Sequence, residues 1–178
     1  KNEEMVLRPI TPYAASKMSG EGLSLAYAKT YGLPVSTFRF FNIFGPWQRP
    51  DHEYAAVLPK WISKSMAGEE IEIFGDGEQT RDFTYVGTVV DIIEQSIMNK
   101  IYTKSAVNVA YGNNISLLTL IEELKQIFPN LSSNFLEPRL GDVKNSQNDP
   151  SLIKKLFPSI RPIDFSVGLG MTVDWLKN

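Results

Sequence analysis

Residues 11–41 constrain the fold more than any other stretch. Thr11 followed by Pro12 reads as a helix start: a hydroxyl able to cap free N–H groups, then a proline whose fixed φ suits the first helical position. Gly32 suits a left-handed residue just past the helix end, and Pro34 blocks continuation. The helix between them runs to about Tyr31. Val35 to Phe41 then reads as a strand, β-branched and aromatic, flanked by Pro34 and Gly45. A helix leading directly into a strand points to an α/β unit with a parallel sheet.

Tyr13 and Lys17 lie four residues apart on that helix, so their side chains share a face. A free phenol has a pKa of about 10 and is a poor base at neutral pH. A neighbouring ammonium stabilises the phenolate and draws that value down. Such a pair can take and return a proton near pH 7. By itself the spacing is common in helices. Small residues crowd the same helix: Ala14, Ala15, Ser16, Ser19, Gly20 and Gly22. Glycine inside a helix costs about 1 kcal/mol, so close approach of another helix is expected there.

The remaining chain continues the α/β pattern. Asn42-Ile43-Phe44-Gly45-Pro46 closes the first strand, and ligands of open α/β sheets gather at such carboxyl ends. A helix is expected over 55–67, ended by Gly68. Ile71 to Phe74 reads as a strand, Gly75-Asp76-Gly77 as a tight turn, Arg81 to Tyr85 as a strand and Thr88 to Met98 as an amphipathic helix. Ala106 to Val109 is a short buried strand. Ser116 caps a helix over Leu117–Phe128, with a core stripe of Leu118, Ile121, Leu124 and Phe128. Residues 129–148 are mostly irregular, with a strand expected at Asn134–Glu137. Short helices are expected from Pro150 and from Asp164 or Ser166.

Composition removes several function classes. Cysteine is absent, which excludes disulfides and thiol catalysis. His52, the only histidine, cannot build a zinc site of the usual kind. The net charge of −2 argues against nucleic acid as the main partner. No apolar run approaches the ~20 residues that span a bilayer, and Lys1-Asn2-Glu3-Glu4 is not followed by the apolar core of a signal peptide. A soluble, cytoplasmic protein is expected.

Arginines add a theme. Arg39 precedes Asn42 at the first strand end, Arg81 follows the Gly75-Asp76-Gly77 turn, and Arg139 precedes Gly141-Asp142. A guanidinium fork matches phosphate oxygens, and turn glycines let backbone approach a ligand. Two arginines beside Gly-Asp turns plus a strand-end asparagine suit a diphosphate site.

Taken in order, Thr11-Pro12-Tyr13-Ala14-Ala15-Ser16-Lys17, Arg39-Phe40-Phe41-Asn42-Ile43-Phe44-Gly45-Pro46 and Phe74-Gly75-Asp76-Gly77-Glu78-Gln79-Thr80-Arg81-Asp82-Phe83-Thr84-Tyr85-Val86 resemble the extended short-chain dehydrogenase/reductases. Within that family the chain looks most like the nucleotide-sugar 4-epimerases. Ala55-Ala56-Val57-Leu58-Pro59 and Arg139-Leu140-Gly141-Asp142 fit the same branch. The resemblance covers essentially the whole chain. It implies that Tyr13 is the acid/base at the sugar 4-hydroxyl and that Lys17 holds the nicotinamide ribose of NAD. Asn42 would bind the substrate diphosphate, and the backbone at Ala56 and Val57 would support the nucleotide. Glu72, by its backbone, and Phe74, by its side chain, would flank the base. Arg81 and Arg139 would grip phosphates, and Asp142 the ribose. Phe74 equally suits a strand core, and Asp142 a turn that caps its own backbone.

The implied architecture is the C-terminal part of a Rossmann-type parallel sheet plus a small mixed α/β substrate domain. Residues 1–45 and 86–112 would belong to the NAD-binding sheet, and residues 46–85 and 113–178 to substrate binding. The sequence holds no glycine-rich turn after a strand; Gly168-Leu169-Gly170 falls in the last helix region. The chain begins without Met and runs almost at once into the Tyr13 helix. It is therefore expected to be the C-terminal half of such an enzyme, to need an N-terminal nucleotide-binding half for NAD, and to dimerise through the Tyr13 helix when intact. A nucleotide-sugar 4,6-dehydratase and a non-catalytic nucleotide-binding member are the alternatives. Ser146 lies where this branch carries a residue gating the sugar pocket, and its small side chain would admit an N-acetyl group. Turnover of UDP-N-acetylglucosamine should then match or exceed that of UDP-glucose in the full-length protein; strong preference for the plain sugar would rule the pocket assignment out.

Overall fold

Capping decides the first element. In the computed structural model, which describes residues 1–51, 56–138 and 144–177, helix α1 spans Pro12–Tyr31. The Thr11 hydroxyl accepts from the Ala14 N–H at 3.1 Å. Gly32 takes the left-handed conformation at φ 65° and its N–H returns to the Ala28 carbonyl. Both ends are as the sequence requires. The elements that follow are β1 (Phe38–Phe40), β2 (Asn42–Phe44), α2 (Val57–Ala67), β3 (Ile71–Phe74), β4 (Thr80–Arg81), β5 (Phe83–Tyr85) and α3 (Val86–Met98). After them come β6 (Val107–Val109), β7 (Ile115–Ser116), α4 (Leu117–Ile127), β8 (Ser133–Leu136), α5 (Ser151–Leu156) and α6 (Phe165–Lys177).

The strands pair two by two. β1 runs parallel to β6, β2 parallel to β5, and β3 parallel to β8, while β4 is antiparallel to β7. The mixed α/β class with parallel pairing is the one expected. Two runs expected to be single strands are broken. The first stops at Phe40 and resumes at Asn42, where the Ile43 N–H bonds the Phe41 carbonyl at 2.7 Å in a γ-turn centred on Asn42. The second is broken at Asp82, between β4 and β5. At each break the chain exchanges one partner for another, which no local propensity reports.

Two apolar clusters form. One gathers Phe44, Leu58, Trp61, Ile71, Ile73, Phe83 and Tyr85 with buried residues of α4 and α6. The other joins Val89 and Ile92 of α3 to Val107 and Val109 of β6 and to Ile153 and Phe157. On α4 the buried stripe is Leu117, Leu120, Ile121 and Leu124. Leu118, expected in the core, is exposed instead. It lies over the Gly77 turn, where a Cβ on Gly77 would approach Leu118 Cδ2 to 2.8 Å. The Ser116 cap sets the phase, its hydroxyl accepting from the Thr119 N–H at 3.0 Å.

α1 is different: none of its residues is fully buried, and Tyr13, Leu23, Tyr27 and Tyr31 are exposed. A Cβ on Gly20 or Gly22 would meet nothing within 4 Å, so no described element uses the close approach that the small residues allow. Among the described residues no helix is long and apolar enough to cross a membrane.

Gly168 shows the opposite use of glycine. The backbone of α6 lies against the rings of Tyr85 and Phe44, and a Cβ on Gly168 would sit 2.8 Å from Tyr85 Cδ2 and 3.0 Å from Phe44 Cζ. Alanine gains about 1 kcal/mol of helix propensity, but forcing a methyl between two packed rings costs about 1–3 kcal/mol. The overlap with rigid rings decides the sign: Gly168→Ala should destabilise the protein by about 1 kcal/mol or more, read from urea unfolding midpoints.

Candidate functional site

Tyr13 and Lys17 occupy the first two turns of α1. Lys17 Nζ sits over the Tyr13 ring, 5.4 Å from its centroid, and Tyr13 is 67% exposed. The spacing brings the cation to the phenol face as a cation–π contact, leaving the hydroxyl toward solvent. One turn further, Glu21 receives Arg39 from β1: Nε and Nη2 reach the two carboxylate oxygens at 2.7 Å each. Both side chains are largely enclosed. The Arg39 hydrogen bonds hold the Glu21 carboxyl below the usual carboxylate range, against the opposing pull of burial. Arg39 was grouped by sequence with the phosphate-matching arginines. The structure corrects that: its fork is filled by a carboxylate, and its task is to set α1 against the strand.

A second group forms where β2 and β5 begin. Asn42 pairs in register with Phe83, and its Nδ2 donates to the Asp82 carbonyl at 3.3 Å. Arg81, half-buried, donates from Nη1 to the Thr80 carbonyl at 2.9 Å. Thr80 is bridged to the segment before α5: its N–H reaches the Lys144 carbonyl at 2.9 Å, and the Ser146 N–H reaches the Thr80 carbonyl at 3.2 Å. Ser146 is 8% exposed. Three residues distant in sequence, Asn42, Arg81 and Ser146, therefore lie around one short stretch of β-structure.

Asp82 is at its centre and was not singled out from the sequence. It is fully buried, and its carboxylate accepts N–H groups from Asn148 at 2.9 Å, Gly112 at 3.0 Å and Asn113 at 3.1 Å. Burial pushes its carboxyl above the usual range, while these backbone bonds pull it back. A signal was available: aspartates are almost never fully buried without partners, and this one stands in a run expected to be a strand.

The base-flanking residues lie on β3. The Glu72 carbonyl accepts from the Trp61 indole at 3.2 Å, and its side chain lies 3.6 Å from Lys64 Nζ. The Phe74 carbonyl accepts from Gln79 Nε2 at 2.6 Å, which closes the glycine turn two residues before Arg81. Phe74 is half-buried. Ala56 is the residue before the first turn of α2, and Val57 begins that helix, partly buried against the core. Arg139 and Asp142 fall outside the described residues, as do His52 and Ala55. The Tyr13–Lys17 pair belongs to a different element from these groups, tied to β1 through Glu21.

The model of the NAD dependent epimerase/dehydratase family matches residues 1–110. The chain belongs to this family. The UDP-glucuronate 4-epimerase of Thermodesulfobacterium geofontis is 37% identical over 172 residues, covering 95% of this chain and 51% of that protein. Among solved structures, the UDP-N-acetylglucosamine 4-epimerase of Methanobrevibacter ruminantium, in complex with UDP-N-acetylmuramic acid, superposes with a TM-score of 0.90 at 35% identity, over 98% of this chain and 56% of that one. The UDP-glucuronic acid 4-epimerase of Bacillus cereus, with UDP-glucuronic acid and NAD, superposes at 0.87 with 30% identity, over 98% of this chain and 55% of that one. The chain spans about half the length of the relatives it matches.

In this family member the Glu21–Arg39 pair couples the Tyr13–Lys17 helix to β1, and its contribution follows pH. Since Glu21 is lowered in the folded state, the stabilisation is complete above the ordinary carboxylate pKa of about 4.3 and is lost as pH falls through the lowered value. Glu21→Gln should cost about 1–2 kcal/mol near pH 7. In urea unfolding from pH 7 to pH 3, the gap to wild type should close only below about pH 4.

Proposed function

We propose that this chain is the C-terminal half of a nucleotide-sugar 4-epimerase that acts on UDP-sugars through a transient 4-keto sugar. The observation that carries this is the pairing of an accessible Tyr13–Lys17 helix face with a separate polar cluster of Asn42, Arg81 and Ser146. One site moves a proton and the other holds an anion. Kinship with UDP-glucuronate and UDP-N-acetylglucosamine 4-epimerases supports it.

The residues fit one end of the cofactor. The Tyr13 hydroxyl and the Lys17 ammonium are both accessible on one helix face, as contact with a nicotinamide ribose requires. The glycine turn that would cradle the cofactor's diphosphate is not in this sequence. NAD, bound to the whole enzyme, would supply the hydride acceptor and donor. Tyr13 removes the proton from the sugar 4-hydroxyl, and Lys17 on the same helix face contacts the nicotinamide ribose. The ketone that results is planar at C4. Arg81, with Arg139 and Asn42, keeps the diphosphate in place while the sugar rotates about its link to it. Tyr13 then returns the proton to the oxygen at C4 after hydride addition to the opposite face. Holding one end while freeing the other is the positioning that the reaction needs. Glu72 and Phe74 flank the base, Ala56 and Val57 support the nucleotide, Asp142 takes its ribose, and Ser146 bounds the sugar pocket. A homodimer across the Gly20 and Gly22 side of α1 belongs to the same proposal.

In the full-length protein Tyr13→Phe should lower kcat for sugar interconversion by at least about a hundredfold, with UDP affinity unchanged in calorimetry. Undiminished interconversion would overturn the assignment.

A further inference from the structure

Asp82 joins parts of the chain that no single element brings together. Its carboxylate ends at three backbone N–H groups, two in the turn after β6 (Gly112 and Asn113) and one before α5 (Asn148). The same two segments are crosslinked around it. Asn148 donates from Nδ2 to the Ala110 carbonyl at 3.1 Å and accepts from Asn108 Nδ2 at 2.9 Å, and Gln147 Nε2 reaches the Gly112 carbonyl at 2.9 Å. The peptide carbonyl of Asp82 takes one N–H of Asn42. An asparagine amide has two N–H donors and one carbonyl. Committing one donor to Asp82 fixes the amide's orientation and leaves the second donor to be aimed elsewhere.

From this geometry we infer that Asp82 is the positioning residue of the diphosphate site: its peptide carbonyl orients Asn42, and its carboxylate pins the segment of Ser146 and Asn148 against the strand that carries Arg81. This rests on the UDP-sugar reading above and extends it to a residue that would not itself touch the ligand. A carboxylate is suited to the task. Its two oxygens accept several N–H groups at once, which a neutral side chain of that size cannot do. Those N–H groups also offset its negative charge, which would otherwise oppose a diphosphate nearby.

The test uses the full-length enzyme and three readouts: UDP affinity by calorimetry, steady-state kinetics with a UDP-sugar, and thermal unfolding. Asp82→Asn keeps the volume and one acceptor but turns an amide donor toward backbone donors. The expected result is a folded variant whose UDP Kd and KM for the UDP-sugar rise at least tenfold, while kcat falls less than threefold because Tyr13 stands on α1. A variant that melts earlier yet binds UDP like wild type below its melting temperature shows a merely structural role and overturns the inference. Should Asp82→Asn fail to fold, Asp82→Ser decides. It removes the carboxylate but keeps a hydroxyl that can accept one of the three N–H groups, and UDP affinity should drop at least threefold; unchanged affinity overturns the inference. Failure of wild type to bind UDP would sink the epimerase reading and this inference together. Wild-type binding and turnover with an indifferent Asp82→Asn would sink this inference alone.

Discussion

Two strands exchange partners at the same place, and the candidate site is the consequence. β1 and β2 are nearly continuous in sequence, yet β1 pairs with β6 and β2 with β5. β4 and β5 are likewise separated by one residue, with β4 paired to β7. The breaks fall at Phe41 and Asp82, and Asn42, the first residue after its break, donates to the Asp82 carbonyl. A residue at such a break is released from the ladder on both sides, so its polar groups can serve something other than its neighbours in the sheet. That is why the strand-end asparagine, the arginine before the break and the segment of Ser146 converge.

The break needs a device to hold it open, and a buried carboxylate supplies one. An unpaired charge in the interior is costly, and an unpaired backbone N–H is costly too. At Asp82 these two liabilities cancel: the turn after β6 and the segment before α5 present donors that the sheet does not use, and the carboxylate collects them. Removing either partner exposes the cost of the other. The arrangement thus gives one definite geometry to three loops that have no hydrophobic reason to meet.

α1 is held by other means. It buries no residue completely, and its attachment to the strand runs through the two-pronged Glu21–Arg39 contact. Beside the partly buried Ala14, Ala15, Leu25 and Ala28, this ion pair links the Tyr13 and Lys17 helix to β1. Such a contact is directional, because the planar fork accepts a carboxylate in few orientations.

Much of this was legible in the residues. Thr11, Pro12 and Gly32 fix the ends of α1 through the conformations they alone favour, and the periods of Ile71–Phe74 and α4 announce a strand and a helix. The Tyr13–Lys17 pairing follows from helical spacing, since neighbours on one turn need no distant information. What the residues did not reveal was every case in which a distant segment decided the outcome. Arg39 looked like its phosphate-matching counterparts until Glu21 was placed beside it. Leu118 fitted a core stripe until the turn at Gly77 proved to lie beneath it. Gly168 looked idle until two aromatic rings filled the space of its missing side chain. Asp82 read as part of an ordinary strand. Local sequence determines caps, turns and the faces of helices, because those depend on atoms within a few residues of each other. The tertiary structure alone decides which buried charge meets which donors, because that depends on chain segments dozens of residues apart arriving at one point.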